Sequence, residues 1–157
     1  MQQSIFRRTF LANTGKNVLS LFGLQQWMIA STTDTIGRTI TGSYQGAVTF
    51  PDGSKVAVLL VFHADGTLSE TNVKTNNPGL GTWRHTGSDA QGLVTFSYVM
   101  REFLVESGTF TGTVHVFQQA TLSLSGETFS ASGEGILLDP EGKELLRNHT
   151  STHATRF

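Results

Sequence analysis

The chain has 157 residues, enough for one domain of ordinary size and too few for two. Eleven Lys+Arg against twelve Asp+Glu leave a formal charge of -1, without the basic excess of a nucleic-acid binder. The absence of cysteine excludes a disulfide scaffold, a thiolate metal site and a cysteine nucleophile together, and no apolar run reaches the roughly 18 residues of a membrane-spanning helix.

Residues 1–40 differ in character from the rest. Arg7-Arg8-Thr9-Phe10-Leu11 has the form of a twin-arginine export motif, which an uninterrupted apolar stretch and a small-residue cleavage site should follow. Here Ser20, Gln25 and Gln26 interrupt the stretch. The competing reading is a retained amphipathic helix, with Asn13 or Thr14 as N-cap and Val18, Leu21 and Phe22 on one face. Such a helix would act as a lid or cover, followed by a polar linker. The interruptions favour the retained helix and a cytoplasmic protein; a functional Arg7-Arg8 leader would make it an exported one.

The second unit, residues 41–157, reads as all-β. Segments near 43–50, 55–63, 67–74, 81–87, 93–105, 109–122, 127–138 and 143–156 alternate with glycine turns. Pro51-Asp52-Gly53, Ala64-Asp65-Gly66, Glu106-Ser107-Gly108 and Pro140-Glu141-Gly142 each suit a three-residue hairpin with glycine in the left-handed position. Ser125-Gly126 reads as a two-residue turn. Closing eight hairpin-linked strands on themselves removes both exposed edges, so the expected fold is an eight-stranded antiparallel up-and-down (calycin-like) β-barrel with an N-terminal helix. A two-sheet sandwich is the alternative.

Strand parity assigns the faces. Even positions are expected inside: Tyr44, Val48, Phe50, Val56, Val58, Leu60, Phe62, Leu68, Val94, Phe96, Tyr98, Met100, Leu104, Phe110, Val114, Val116, Ala120 and Leu122. Through the sixth hairpin, Leu122 should face Phe129, Ala120 Ala131 and Gln118 Gly133. Gly133 and Gly135 then leave a hollow or mark a barrel corner, and both can hold at once. Glu70, Asn72, Glu102 and Gln118 fall on the same inner face. Pairing Asp139 with Lys143 would add Arg147 and His149, opposite Gly135 and Gly133, with Arg147 reaching Glu102 or Glu70. Buried polar groups of this kind pair with one another, lie at wet barrel ends or meet a ligand. Outward Ala57, Leu59 and Val61 call for a cover, which the N-terminal helix or a second subunit of a homodimer would supply.

Pro78-Gly79-Leu80-Gly81-Thr82-Trp83-Arg84-His85-Thr86-Gly87, the aromatic strand ending in Arg101-Glu102-Phe103, and the close Thr152-His153-Ala154-Thr155-Arg156-Phe157 carry a resemblance. Over residues 40–157 the chain resembles a group of small bacterial lipocalin-like β-barrel proteins. In size, hairpin arrangement and apolar lumen it is also similar to allene-oxide-cyclase-like barrels, some of which fold polyketide chains for intramolecular cycloaddition (the Diels–Alderase type). The resemblance implies either a cofactor-free cyclase acting on an apolar polyketide-type chain or a non-catalytic carrier of a small hydrophobic ligand.

A cyclase of this kind holds a flexible chain in its reactive fold, and a donor polarises a carbonyl as charge develops. Glu102, Arg147, His149 and Gln118 are the candidate catalytic residues. Tyr98, Trp83, Phe96, Met100, Val116, Glu70, Asn72 and Phe129 are candidates for ligand binding, Trp83 and Tyr98 as flat stacking surfaces. His149 and His153, four residues apart along one strand, sit roughly 13 Å apart and are too distant to share a metal ion. No nucleophile elbow, phosphate-cradling loop or dinucleotide fingerprint is present, so no cofactor is assigned.

Overall fold

A computed structural model describes residues 39–75 and 77–157. The expected N-terminal helix and the alternative export leader lie outside the described residues. Eight strands follow in order: β1 (Gly42–Thr49), β2 (Lys55–Phe62), β3 (Thr67–Asn72), β4 (Pro78–Ser88), β5 (Val94–Glu106), β6 (Thr109–Leu122), β7 (Thr128–Leu138) and β8 (Glu144–Arg156). Each pairs antiparallel with the next, and β8 returns to β1 through Tyr44↔Arg156 to Thr49↔Ser151, closing the barrel. The sandwich alternative is thereby excluded. Among the described residues no helix is long and apolar enough to cross a membrane.

Local sequence sets the turns. His63 N–H donates to Thr67 O and Gly66 N–H to His63 O, which makes Ala64-Asp65-Gly66 a three-residue hairpin loop. The same bonding closes 51–53 and 140–142. It also closes Ala90-Gln91-Gly92, a loop the sequence reading did not single out.

Two turns depart from expectation. Glu106 pairs with Thr109, so Ser107-Gly108 forms a two-residue turn with both residues at positive φ (50° and 78°). The register then shifts between Leu104 and Val105, which restores even-to-even pairing from Leu104↔Gly112 onward. The bulge turns Phe110 outward, against expectation, where its ring meets Phe103 edge-on at 5.9 Å. The sixth hairpin is wider than the expected two residues, with Ser123 N–H donating to Thr128 O. Its predicted pairs Leu122↔Phe129, Ala120↔Ala131 and Gln118↔Gly133 are nevertheless those observed.

The inner face divides along the barrel axis. At the end that holds Ile40, the start of β1 and the end of β8, it is packed solid. Phe62 sits at the centre of this plug, edge-on to Tyr44, Phe129, Phe96, Tyr98 and Trp83 with ring centroids 5.6–6.2 Å apart. Half-buried Arg156 caps this end: its guanidinium donates to the Tyr44 hydroxyl at 2.5 Å and to Thr41 O at 2.8 Å. It also lies over the Tyr44 ring, 4.9 Å from the centroid. Toward the other end the lining residues no longer meet across the lumen.

Candidate functional site

The open half of the barrel encloses a cavity of about 270 Å³. Val48, Val56, Val58, Leu60, Met100, Val114 and Val116 make its apolar wall, and Leu104, Leu137 and Leu146 stand toward the mouth. Tyr98, Glu70, Gln118, Thr150 and Thr152 supply polar groups, and each of these residues is buried.

The two inner glycines of β7 do different jobs. A Cβ on Gly133 would collide with the Phe117 carbonyl oxygen of β6, so glycine there permits a close bend of the strands. A Cβ on Gly135 would meet only the Thr150 methyl, at 3.9 Å, and Gly135 lines the cavity. Corner and hollow, which the sequence allows together, thus occur at neighbouring inner positions.

Two carboxylates share the site. Glu70 on β3 and Glu102 on β5 lie opposite the same residue, Gly79 of β4, one from each side. A Cβ at that position would sit 2.7 Å from Glu70 Oε2, so any larger residue would push the carboxyl end aside. Glu102 is well supplied with donors: Asn72 Nδ2 lies 3.3 and 3.2 Å from its two oxygens, and the Thr75 hydroxyl donates to Oε1. Asn72 in turn is held by backbone N–H groups of Lys74 and Thr75, each 3.0 Å from Oδ1.

Glu70 is treated differently. It is 4 % exposed, and its Oε2 has no hydrogen-bond partner. Burial, reinforced by the negative charge of Glu102 and partly relieved by Asn72, pushes its carboxyl up to about 7. Gln118 donates through Nε2 to Thr150 Oγ1 at 2.8 Å, while its Oε1 is buried without a partner. Burial likewise pushes the Tyr98 phenol up to about 12, against the lowering effect of Thr152, so Tyr98 keeps its proton at neutral pH.

Of the residues singled out from sequence, Glu70, Asn72, Tyr98, Met100, Glu102, Val116 and Gln118 come together around this cavity. Phe96 and Phe129 belong instead to the aromatic plug, buried among other rings. Trp83 lies at the edge of that plug, where its Nε1–H donates to His63 O at 2.8 Å.

Arg147 and His149 are not inside. The β7–β8 register shifts between Leu137 and Leu138, giving Ile136↔Arg147 and Glu134↔His149 in place of the expected glycine pairings. A slip of one residue reverses every side chain, so both face solvent. Arg147 bonds Glu134 at 2.5 Å and Glu144 at 2.7 Å on the outer wall, and reaches neither Glu102 nor Glu70. The same shift brings Asn148, Thr150 and Thr152 to the cavity, positions the sequence reading does not single out. Their alternation with charged or solvent-facing neighbours (Arg147, His149, Ser151) was the signal that could have found them.

The arrangement can bury an apolar body against aliphatic walls and meet a polar end at Glu70 and Gln118. Among the described residues, no group of three His, Cys, Asp or Glu side chains is placed to hold a metal ion. Comparison with protein-family models, with curated proteins and with solved structures finds no match to this chain.

Proposed function

We propose that this barrel is a container for one small, mostly apolar molecule, in the manner of a lipocalin-like carrier. The observation that carries the reading is the division of the inner face into an aromatic plug and a cavity with aliphatic walls. Its volume of about 270 Å³ lies at the small end of the range for ligand sites, which favours a compact molecule over a long polyketide chain.

A neutral fluorescent naphthylamine, titrated into the protein, tests this. Saturable binding at one site is expected, with loss of at least about tenfold in affinity in Gly135→Phe, whose ring would occupy the cavity. Absence of saturable binding, or equal binding by a folded Gly135→Phe, overturns the container reading.

A second reading, a cofactor-free cyclase, has one observation in its favour. The Glu70 carboxyl exchanges its proton near neutral pH and, with the Tyr98 phenol, lines the cavity. Such groups can donate to an oxygen on which charge develops. Incubation with a linear precursor carrying diene and dienophile is expected, on this reading, to change cyclisation rate and product stereochemistry. An unchanged rate and product mixture would leave the carrier alone.

A further inference from the structure

The container reading leaves the chemistry of the ligand's polar end open, and the cavity bears on it. We infer that the cavity is built for an amine, an apolar body ending in a cationic nitrogen that donates to Glu70 and Gln118. The inference rests on the container reading and sharpens it.

Among the described residues three buried oxygens lack a partner, the Thr152 hydroxyl and two that can only accept, and the latter two carry the argument. Glu70 Oε2 and Gln118 Oε1 belong to side chains 4 % and 2 % exposed, both line the cavity, and neither has a donor within the protein. Leaving a buried acceptor unsatisfied is costly, and a carboxylate oxygen most of all. Turning the Gln118 amide over would let Oε1 accept from the Thr150 hydroxyl, an exit that the Glu70 carboxylate does not have, so Glu70 is the primary contact. Among these unpartnered atoms two acceptors face one spare hydroxyl, and an ammonium group brings three donors and no acceptor.

Charge points the same way. Glu70 faces Glu102 and Tyr98 from β5, while Leu60 of β2, Gly79 of β4 and Thr152 of β8 bring no charge to it. Lys74, in the turn after β3, is the one cation among the cavity-lining residues and is itself exposed. Glu102 already has Asn72 and Thr75 as donors, so a cation is left to Glu70. A ligand carboxylate would meet two carboxylates in a setting that screens them poorly.

Octylamine, octanol and octanoate share one apolar chain, so competition among them against the neutral naphthylamine probe isolates the head group. At about pH 8, where the amine and Glu70 are both charged, octylamine is expected to bind about tenfold tighter than octanol, and octanoate weakest. In Glu70→Gln the advantage of amine over alcohol should fall to about twofold or less while octanol is unchanged.

Gly79→Ala gives a second, independent perturbation, because its Cβ takes the place of Glu70 Oε2 and the flexible carboxyl end must move. The same selective loss for octylamine is expected there. Octanoate binding as well as octylamine, or an amine advantage that survives in both folded variants, would overturn the inference and leave the container reading standing. Failure of the neutral probe to bind the wild-type protein would remove both.

Discussion

Replacing Phe62 by alanine is expected to cost about 3–5 kcal/mol and to lower the melting temperature by roughly 10–20 °C. Phe62 is 1 % exposed and is the common neighbour of five other rings in the plug. Its removal forfeits burial of the ring and the edge-to-face contacts together. A barrel wall relaxes little, because every strand is hydrogen-bonded on both sides, so most of the vacated volume should persist as a void. Tyr98 packs against Phe62 and also lines the cavity. The void should therefore join the cavity, and the variant should accept longer alkyl chains than the wild type. Thermal unfolding and a chain-length series with the fluorescent probe check the two halves of this expectation. A loss under about 1 kcal/mol would mean that the plug is not the main source of stability.

Glu70→Gln should make the protein more stable at alkaline pH and leave it unchanged in acid. The Glu70 carboxyl is raised from 4.5 to about 7 by burial and by Glu102. In that window the folded chain holds a proton the unfolded chain has lost, so unfolding free energy falls as pH rises from about 4.5 to about 7. Beyond that the loss is complete. A shift of this size corresponds to about 3 kcal/mol, which solvent at the cavity mouth reduces to about 2. Glutamine fills the same space and has no proton to lose. Urea unfolding of both proteins at pH values across the window should give curves that coincide in acid and separate by about 2 kcal/mol above neutrality. Parallel curves would show that Glu70 titrates in the folded protein as it does in the unfolded chain.

Strand number, order and the inward face of β1, β2, β3, β5 and, Phe110 apart, β6 are readable because hairpin chemistry and period-2 patterning agree there. Asp-Gly loops fixed the ends, and runs such as Val94-Thr95-Phe96-Ser97-Tyr98 fixed the face. The seventh hairpin was not readable to the same depth. Asp139 and Lys143 pair as expected, but an extra residue in β8 beyond them changes the register before Leu146. Leu145-Leu146 holds no glycine and no polar contrast to mark which of the two is the extra one. That is why the sequence points Arg147 and His149 inward and the structure does not.

The division between plug and cavity also escaped parity, which assigns a face and says nothing about depth along the axis. Phe96 and Tyr98 share a face, yet one is locked among rings and the other borders open space. Depth follows from how side-chain sizes add up around each ring of the barrel, which requires the register of all eight strands at once.

The β1–β8 seam has a consequence for how the molecule forms. It joins residues 44–49 to residues 151–156, so the first strand must wait for the last before its second edge is satisfied. Hairpins zip from neighbour to neighbour, whereas this one pairing requires closing a loop of nearly the whole domain. On the ribosome, β1 emerges early and keeps an unpaired edge until β8 has been made. Seam closure should then set the folding rate, and the half-made sheet is the species most prone to pair with the wrong chain.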